Sequence, residues 1–244
     1  MARRKPNRKR SKPAAVGGRR RRGTAAPDAL LGEAVQAFRS GDLGKSRGLC
    51  QELLAATPDH PIGLHLMGVI CRHAGQLAEA CEYLRRAVSE APDYGEAYND
   101  LGAAFFDLGQ FDAAGEAQEK AAQLAPGEIG PLMNLGNTRR AQGRFDEALE
   151  CYRAALAREP RMAGAHVNIG VVLREQGHAG EAAESQRRAI DLDPALIPAH
   201  VNLGKALRDL GDDAGAAASY RRALSIKPDA SYARTGLAGA SIPA

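Results

Sequence analysis

The stretch that decides the fold is LMNLGNTRRAQGRFDEALECYRAALAREP, residues 132–160. Apolar residues recur at helical spacing before Gly143 and again from Phe145 to Arg158, which predicts two helices. Gly143 should end the first helix, because glycine adopts the left-handed cap conformation without strain. Pro160 should follow the second helix, since proline cannot continue a helix.

The same residue types return every 34 residues along the chain. The prolines in this register are Pro58, Pro92, Pro126, Pro160, Pro194 and Pro228, and the helix-ending glycines are Gly41, Gly75, Gly109, Gly143, Gly177 and Gly211. A further small pair, Gly136 and Ala148 in the quoted stretch, should mark the point where the two helices cross closely. A single helical hairpin cannot bury its own apolar face, so we expect the hairpins to stack.

This pattern resembles the tetratricopeptide repeat, in which Leu-Gly, a small Ala and a closing Pro recur over 34 residues. The resemblance covers residues 27–230. It implies an all-α fold, a right-handed superhelix (α-solenoid) of six stacked helix-turn-helix units. The units are 27–60, 61–94, 95–128, 129–162, 163–196 and 197–230, between a basic tail at 1–26 and a short, partial capping segment at 231–244. The slot that holds Trp in the family holds Leu30, Leu64, Tyr98, Leu132, His166 and His200 here.

A helical wheel divides the first helix of each unit into two faces. Positions 4, 7, 8 and 11 of the unit form one arc, which we assign to packing. Positions 2, 5, 6, 9, 12 and 13 form the opposite arc, which lines the concave groove in the tetratricopeptide family. Position 6 reads Gly32, Leu66, Asp100, Asn134, Asn168 and Asn202, and position 12 reads Phe38, Arg72, Phe106, Arg140, Arg174 and Arg208.

The polar residues of this arc are the predicted peptide-binding site. Its members are Asp100, Asn134, Asn137, Asn168, Asn202, Lys205, Arg140, Arg174 and Arg208. A carboxamide both donates and accepts, so a column of Asn can hold a peptide backbone without regard to its sequence, and the column is similar to the asparagine ladder of O-GlcNAc transferase repeats. The arginines could hold acidic side chains or a chain-end carboxylate. The alternative is a solvated face whose arginines pair with neighbours such as Glu175 and Asp209.

The net charge of +4 averages two opposite regions. The tail has no acid and carries eleven bases: Arg3, Arg4, Lys5, Arg8, Lys9, Arg10, Lys12, Arg19, Arg20, Arg21 and Arg22. Residues 27–244 carry 22 bases against 29 acids. The tail has too few large apolar side chains to fold. It should either contact nucleic acid or an anionic surface weakly, or serve only as a solubilising extension.

The remaining signals argue against chemistry in this chain. Gly44 to Gly48 matches a nucleophile elbow, but it opens a helix rather than following a strand. His166 and His200 sit in a packing slot one unit apart with no third ligand in phase, so we predict neither a metal site nor a cofactor. We therefore expect a non-enzymatic adaptor. The alternatives are a substrate-recognition arm for a separate glycosyltransferase or sulfotransferase, and a scaffold held on nucleic acid by the tail.

Location and self-association can also be predicted. No apolar run is long enough to span a membrane, and Cys50, Cys71, Cys81 and Cys151 form no Cys-x-x-Cys pair. We expect reduced, buried thiols in a cytoplasmic protein, or a nuclear one if the cell has a nucleus. We also expect the end of the last unit, near Tyr220 and Leu224, to be poorly covered and to promote self-association.

Overall fold

The computed structural model describes residues 26–240, which form thirteen α-helices. The first helices of the hairpins are α1 (Pro27–Arg39), α3 (Pro61–His73), α5 (Gly95–Asp107), α7 (Gly130–Ala141), α9 (Ala163–Glu175) and α11 (Ile197–Asp209). The second helices are α2 (Leu43–Ala56), α4 (Leu77–Glu90), α6 (Phe111–Leu124), α8 (Phe145–Arg158), α10 (Ala179–Leu192) and α12 (Asp213–Ile226), and α13 (Ser231–Gly239) follows. We number the hairpins as units 1 to 6, from α1–α2 to α11–α12.

Each first helix ends as the glycine pattern predicts. Gly143 has φ +74°, and the other five glycines of this register have φ between +74° and +87°. Beyond the glycine, the Arg144 amide donates to the Arg139 carbonyl at 2.8 Å, which is the long hydrogen bond of a Schellman cap. Because this cap fixes where α8 starts, the recurring glycine sets the angle between the two helices of every unit.

The two helices of a unit cross at the small residues. A Cβ atom on Gly136 would lie 2.5 Å from Cε1 of Tyr152, and one on Gly170 would lie 3.1 Å from the carbonyl oxygen of Ala182. Both approaches are closer than van der Waals contact allows. The prediction of a close crossing is therefore confirmed, and the space that the glycine leaves is filled by a side chain of the second helix.

The predicted packing arc of the first helix is incomplete. Positions 3 and 10 of the unit are buried as well, as Ala97 and Ile70 show. Ala97 packs with Ala87 of the preceding unit, and Ile70 packs with Cys50 of the unit before its own. The first helix is thus held between two second helices, its own and that of the preceding unit, which a single hairpin considered alone does not reveal.

The stack is an all-α helical superhelix with distinct inner and outer sides. The backbones of successive first helices pack against one another along the array. Within residues 26–240 the backbones of successive second helices stay apart, although a long side chain such as Arg47 of α2 reaches Glu79 of α4. The first helices therefore line the inner, concave side, and the second helices are splayed apart on the outer side.

The prediction of a poorly covered C-terminal end is wrong for Tyr220. That side chain is 1% exposed, because α13 lies over it with Ala233 and Gly236. A Cβ on Gly236 would come within 2.5 Å of the Tyr220 ring, so α13 packs directly on that ring. Self-association was expected from an exposed Tyr220, and the burial of Tyr220 removes that reason for expecting it.

The structure also bears on the predictions for the cysteines, for membrane-spanning helices and for the basic tail. All four cysteines are free thiols; Cys50, Cys71 and Cys81 are buried and Cys151 is half-buried. Burial raises the pKa of the Cys50 thiol to about 11. No helix within residues 26–240 combines the length and apolar character needed to cross a membrane. The eleven bases of the predicted polyanion-binding tail, Arg3 to Arg22, lie outside the described residues.

Candidate functional site: the concave groove

The predicted peptide-binding residues lie on the first helices, and therefore along the inner side of the stack. Asp100, Asn134, Asn137, Asn168, Asn202, Lys205, Arg140 and Arg174 are half-buried, and Arg208 is exposed. Gly32 and Leu66, which occupy position 6 in units 1 and 2, leave that end of the column without a polar side chain. The polar part of the groove therefore runs from unit 3 to unit 6.

The carboxamides form a partial hydrogen-bonded chain. Asn134 Nδ2 donates to Asn99 Oδ1 at 2.9 Å, and Asn168 Nδ2 donates to Asn137 Oδ1 at 3.2 Å. The hydroxyl of Tyr152 donates to the same Asn137 oxygen at 2.8 Å. Each amide has four hydrogen-bonding sites, so these contacts orient the side chains and leave donors and acceptors for a ligand.

The arginines of position 12 pair with position 13 of the next unit. Arg72 lies 2.6 Å from Asp107, Arg140 lies 3.0 Å from Glu175, and Arg174 Nε lies 2.9 Å from Asp209 Oδ2. The pairs named in the solvated-face alternative are therefore present. These side chains are about one-third exposed, and exposed pairs typically contribute only about 0.2–1 kcal/mol. A ligand carboxylate can thus exchange with them at small cost.

The regular pairing stops at the end of the array, where three cations gather. The residue that would partner Arg208 is Pro243 in the sequence, and Arg208 makes no ion pair within residues 26–240. Burial, with the positive charges of Arg174 and Arg208, lowers the pKa of Lys205. Three like charges therefore share this end of the groove with one acid, Asp209, so that a bound anion would relieve their repulsion.

Two buried polar atoms at the same end lack a hydrogen bond. The Tyr220 hydroxyl has no partner in the described structure, and Arg174 Nε, despite its short distance to Asp209, has no hydrogen bond of acceptable geometry. In unit 4 the equivalent Tyr152 hydroxyl is satisfied by Asn137, but unit 6 has Lys205 in place of that asparagine. Burial raises the pKa of Tyr220, so its hydroxyl stays protonated and remains a donor.

A different cluster occupies the other end of the groove. His65 Nδ1 lies 2.8 Å from the Tyr94 hydroxyl, and His65 Nε2 lies 2.7 Å from Asp100 Oδ2. Burial, with the charges of Glu96 and Asp100, raises the pKa of Tyr94 to about 12. Asp100, which the sequence assigns to ligand binding, is therefore already engaged with His65.

Sequence reasoning missed the members of these clusters that lie at position 5 or on second helices. His65 and Asn99 occupy position 5, inside the predicted groove arc, so that arc could have identified them. Tyr152 and Tyr220 reach the groove edge from second helices, which no first-helix pattern indicates. His200 is buried and hydrogen-bonded to the Pro194 carbonyl at 3.0 Å, which confirms it as a packing residue.

Charge is distributed unevenly along the array. Unit 3, residues 95–128, carries seven acids and a single base, Lys120, whereas residues 197–244 carry six bases and four acids. Among residues 26–240 no group of three His, Cys, Asp or Glu side chains is placed to hold a metal ion. The concave groove offers a row of hydrogen-bonding groups, with Asp100 in unit 3 and the cations Arg174, Lys205 and Arg208 at the unit 6 end.

Comparison with known proteins identifies the repeat. Four family models, each described as a tetratricopeptide repeat, match residues 63–94, 93–159, 133–197 and 197–230. No curated protein matches the sequence. Together the four models cover residues 63–230 without a break, which is more than half of the chain.

Solved structures share the fold at low identity. PilW, a type IV pilus biogenesis factor, is 19% identical over 86% of this chain and 98% of its own, with a TM-score of 0.79. MamA is 23% identical over 69% of this chain and 92% of its own, with a TM-score of 0.62. YrrB, described as a TPR protein with an unusual peptide-binding site, is 18% identical over 76% and 96%, with a TM-score of 0.59. From the matched repeats and the stacked hairpins, the chain belongs to the tetratricopeptide repeat family.

Proposed function

We propose that this protein is a non-enzymatic scaffold whose concave groove holds an extended segment of a partner protein. The observation that carries the proposal is the row of half-buried Asn side chains leading to the cation cluster of Arg174, Lys205 and Arg208. Tetratricopeptide repeats are typical of protein-binding scaffolds, and this row offers the groups that a peptide backbone and a carboxylate require.

The polarity of the groove suggests how the segment lies. Its acidic part, or its C-terminal carboxylate, would sit over units 5 and 6, where Arg174, Lys205 and Arg208 outnumber the acids. Its middle would lie along Asn134, Asn168 and Asn202. Basic residues would suit the end towards unit 3.

The magnitudes are adequate for a useful affinity. Three Asn contacts at about 1 kcal/mol each supply about 3 kcal/mol, and two charge-assisted bonds add about 1.5–3 kcal/mol each. The sum, about 6–9 kcal/mol, is of the order of the 8.2 kcal/mol that micromolar binding requires. The ladder alone would only orient a ligand, so the cations are needed for capture.

The test is a peptide-display selection on the whole protein, followed by calorimetry with the selected peptides. The triple variant Asn134→Ala, Asn168→Ala, Asn202→Ala should weaken binding about 100-fold at about 1 kcal/mol per site. The double variant Lys205→Ala, Arg208→Ala should weaken peptides with an acidic end by a similar factor. Circular dichroism controls for helicity, and unchanged affinity in both folded variants would refute the proposal.

A further inference from the structure

The outer side of the stack carries a second row of sites. Because the backbones of successive second helices are not in contact within residues 26–240, a groove lies between each successive pair. The first helix of the later unit forms its floor. We call these the outer grooves and name each by the two units that it joins.

The first three outer grooves are filled by the chain's own arginines. In groove 1/2, Arg47 lies 2.7 Å from Gln76 and 3.3 Å from Glu79. In groove 2/3, the Arg85 guanidinium lies 4.9 Å from the centre of the Phe105 ring. Each arginine places its charge against an acid or an aromatic face of the next unit.

Groove 3/4 is filled most completely. Arg139 is 6% exposed, and its guanidinium bridges Glu119 on one second helix and Glu147 on the next, the latter at 3.4 Å. Gly115 makes room for it, since a Cβ there would lie 2.8 Å from Arg139 Nη1. The chain itself thus shows what an outer groove accepts: an aliphatic stem on the floor and a charged head at the rim.

The last two outer grooves are open. Groove 4/5 is a pocket of about 300 Å³, and groove 5/6 is a pocket of about 380 Å³. Most residues that line groove 5/6 lie 34 positions after a residue that lines groove 4/5, as Arg187 does after Arg153. The position of Arg139 is taken by Leu173 and Leu207, which cannot bridge the rims. Groove 4/5 still has two glutamates at its rim, Glu181 and Glu184, whereas groove 5/6 has Gly215 and Ala218 at those places.

One rim position is reversed in charge in both open grooves, and in groove 5/6 the opposing glutamates are missing as well. Glu119, which binds Arg139 in groove 3/4, is replaced by Arg153 in groove 4/5 and by Arg187 in groove 5/6. Arg187 and Arg222 both line groove 5/6 and make no ion pair within residues 26–240, and they face one carboxylate, Asp191. The floor there is apolar, with Ile190 and Leu203 half-buried.

The geometry points to groove 5/6 as a docking site for a glutamate side chain on an acidic segment of a partner protein. The ligand is the charge-reversed counterpart of Arg139. Its aliphatic stem would lie on Ile190 and Leu203, and its carboxylate would be held by Arg187 and Arg222.

This site is separate from the concave groove, and the experiment keeps the two apart. The parent protein is the full chain with Lys205→Ala and Arg208→Ala, which removes two of the three cations clustered at the unit 6 end of the concave groove. The probe is a fluorescein-labelled dodecapeptide of repeating Glu-Ser-Gly, which places a glutamate at every third residue. Binding is measured by fluorescence anisotropy, and the same peptide with Gln or Lys in place of Glu tests the charge requirement.

Two variants alter groove 5/6, and a third variant serves as a matched control. Arg187→Glu with Arg222→Glu reverses the rim, and Ala218→Trp, at an exposed position, fills the pocket. Glu150→Trp places the same ring at the equivalent position of the filled groove 3/4. We expect both groove 5/6 variants to weaken the glutamate peptide at least tenfold and the control to leave it unchanged.

Four results of the binding measurements would overturn the proposal. The proposal is overturned if the Gln or Lys peptide binds as tightly as the glutamate peptide. It is also overturned if both groove 5/6 variants are folded by circular dichroism and still bind the glutamate peptide with unchanged affinity, or if Glu150→Trp weakens binding as much as they do. The absence of glutamate-peptide binding to the parent would overturn it as well. Failure of the concave-groove proposal would show in Asn134, Asn168 and Asn202 variants instead, so the two outcomes are distinguishable.

Discussion

Replacing Arg139 separates the contribution of its buried stem from that of its ion pairs. The side chain is 6% exposed, whereas its partners Glu119 and Glu147 are 47% and 44% exposed. Because both carboxylates can be solvated when the arginine is removed, the usual penalty of an abandoned buried charge does not apply. The stability loss should therefore follow the aliphatic volume that is lost.

The size of the effect follows from that volume. Arg139→Ala removes two methylenes beyond Cβ together with the guanidinium and leaves a hole beside Gly115. At about 0.8 kcal/mol per methylene plus the cavity, the lost packing should lower the free energy of unfolding by about 2–3 kcal/mol, and the lost polar contacts bring the total to about 3–5 kcal/mol. Arg139→Leu restores the residue type that units 5 and 6 have at this position. It forfeits two half-exposed ion pairs at about 0.2–1 kcal/mol each and the hydrogen bond to Gln142, so it should cost about 1–2 kcal/mol.

The assay is urea unfolding followed by circular dichroism at fixed protein concentration, with the slope checked for constancy. Arg139→Ala should lower the midpoint clearly more than Arg139→Leu does, and raising the salt concentration should narrow the gap between wild type and Arg139→Leu. Thermal melts provide a second reading at about 2–4 °C per kcal/mol for a chain of this size. If Arg139→Leu were as unstable as Arg139→Ala, or worse, the ion pairs rather than packing would hold units 3 and 4 together.

Four further perturbations test the fold and the tail. Gly136→Ala should lower the free energy of unfolding by about 1–3 kcal/mol, because the new methyl group overpacks against Tyr152. Gly143→Ala should lower it by about 1–2 kcal/mol, because alanine is strained at a positive φ. Urea unfolding measures both effects, and an unchanged free energy of unfolding in either variant would contradict the geometry. The neutral Cys50 thiol should contribute its full stabilisation below about pH 9, and this contribution should fall as the pH rises towards the folded pKa of about 11. In a series of urea midpoints measured against pH, Cys50→Ala should show a smaller decrease above about pH 9 than the wild type. An equal decrease in both proteins would contradict this prediction. Deleting residues 1–26 should remove salt-sensitive retention of the protein on DNA, and tail-independent retention would show that the bases there are not the cause.

The fold could be predicted because each of its determinants is local and repeated. Gly143 and its five equivalents fix the helix ends, and Gly136 with Ala148 fixes the crossing, so one 34-residue unit contains the information for the whole stack. The burial of positions 3 and 10, as in Ala97 and Ile70, could not be predicted in this way. It depends on contacts with the preceding unit, which a helical wheel of one helix does not represent.

The candidate site was predictable only in outline. The wheel places Asn134, Asn168 and the arginines on one face, but pairing depends on which acid the next unit brings within reach. Arg174 and Arg208 are equivalent in sequence, yet one pairs with Asp209 and the other has no acid partner in the described structure. The prediction that Tyr220 is poorly covered is wrong because the nine-residue helix α13 places Ala233 and Gly236 over its ring. The outer grooves were missed altogether, since their walls come from two second helices.

The most direct test of the concave-groove account is to map where a bound peptide lies. A display-selected peptide carrying a photoreactive benzophenone at a central position is irradiated in complex with the whole protein, and the crosslinked residues are identified by mass spectrometry. The account predicts crosslinks to first-helix residues of the inner side, around Asn168, Asn202 and Lys205. Crosslinks confined to the second helices α8, α10 and α12 would contradict it.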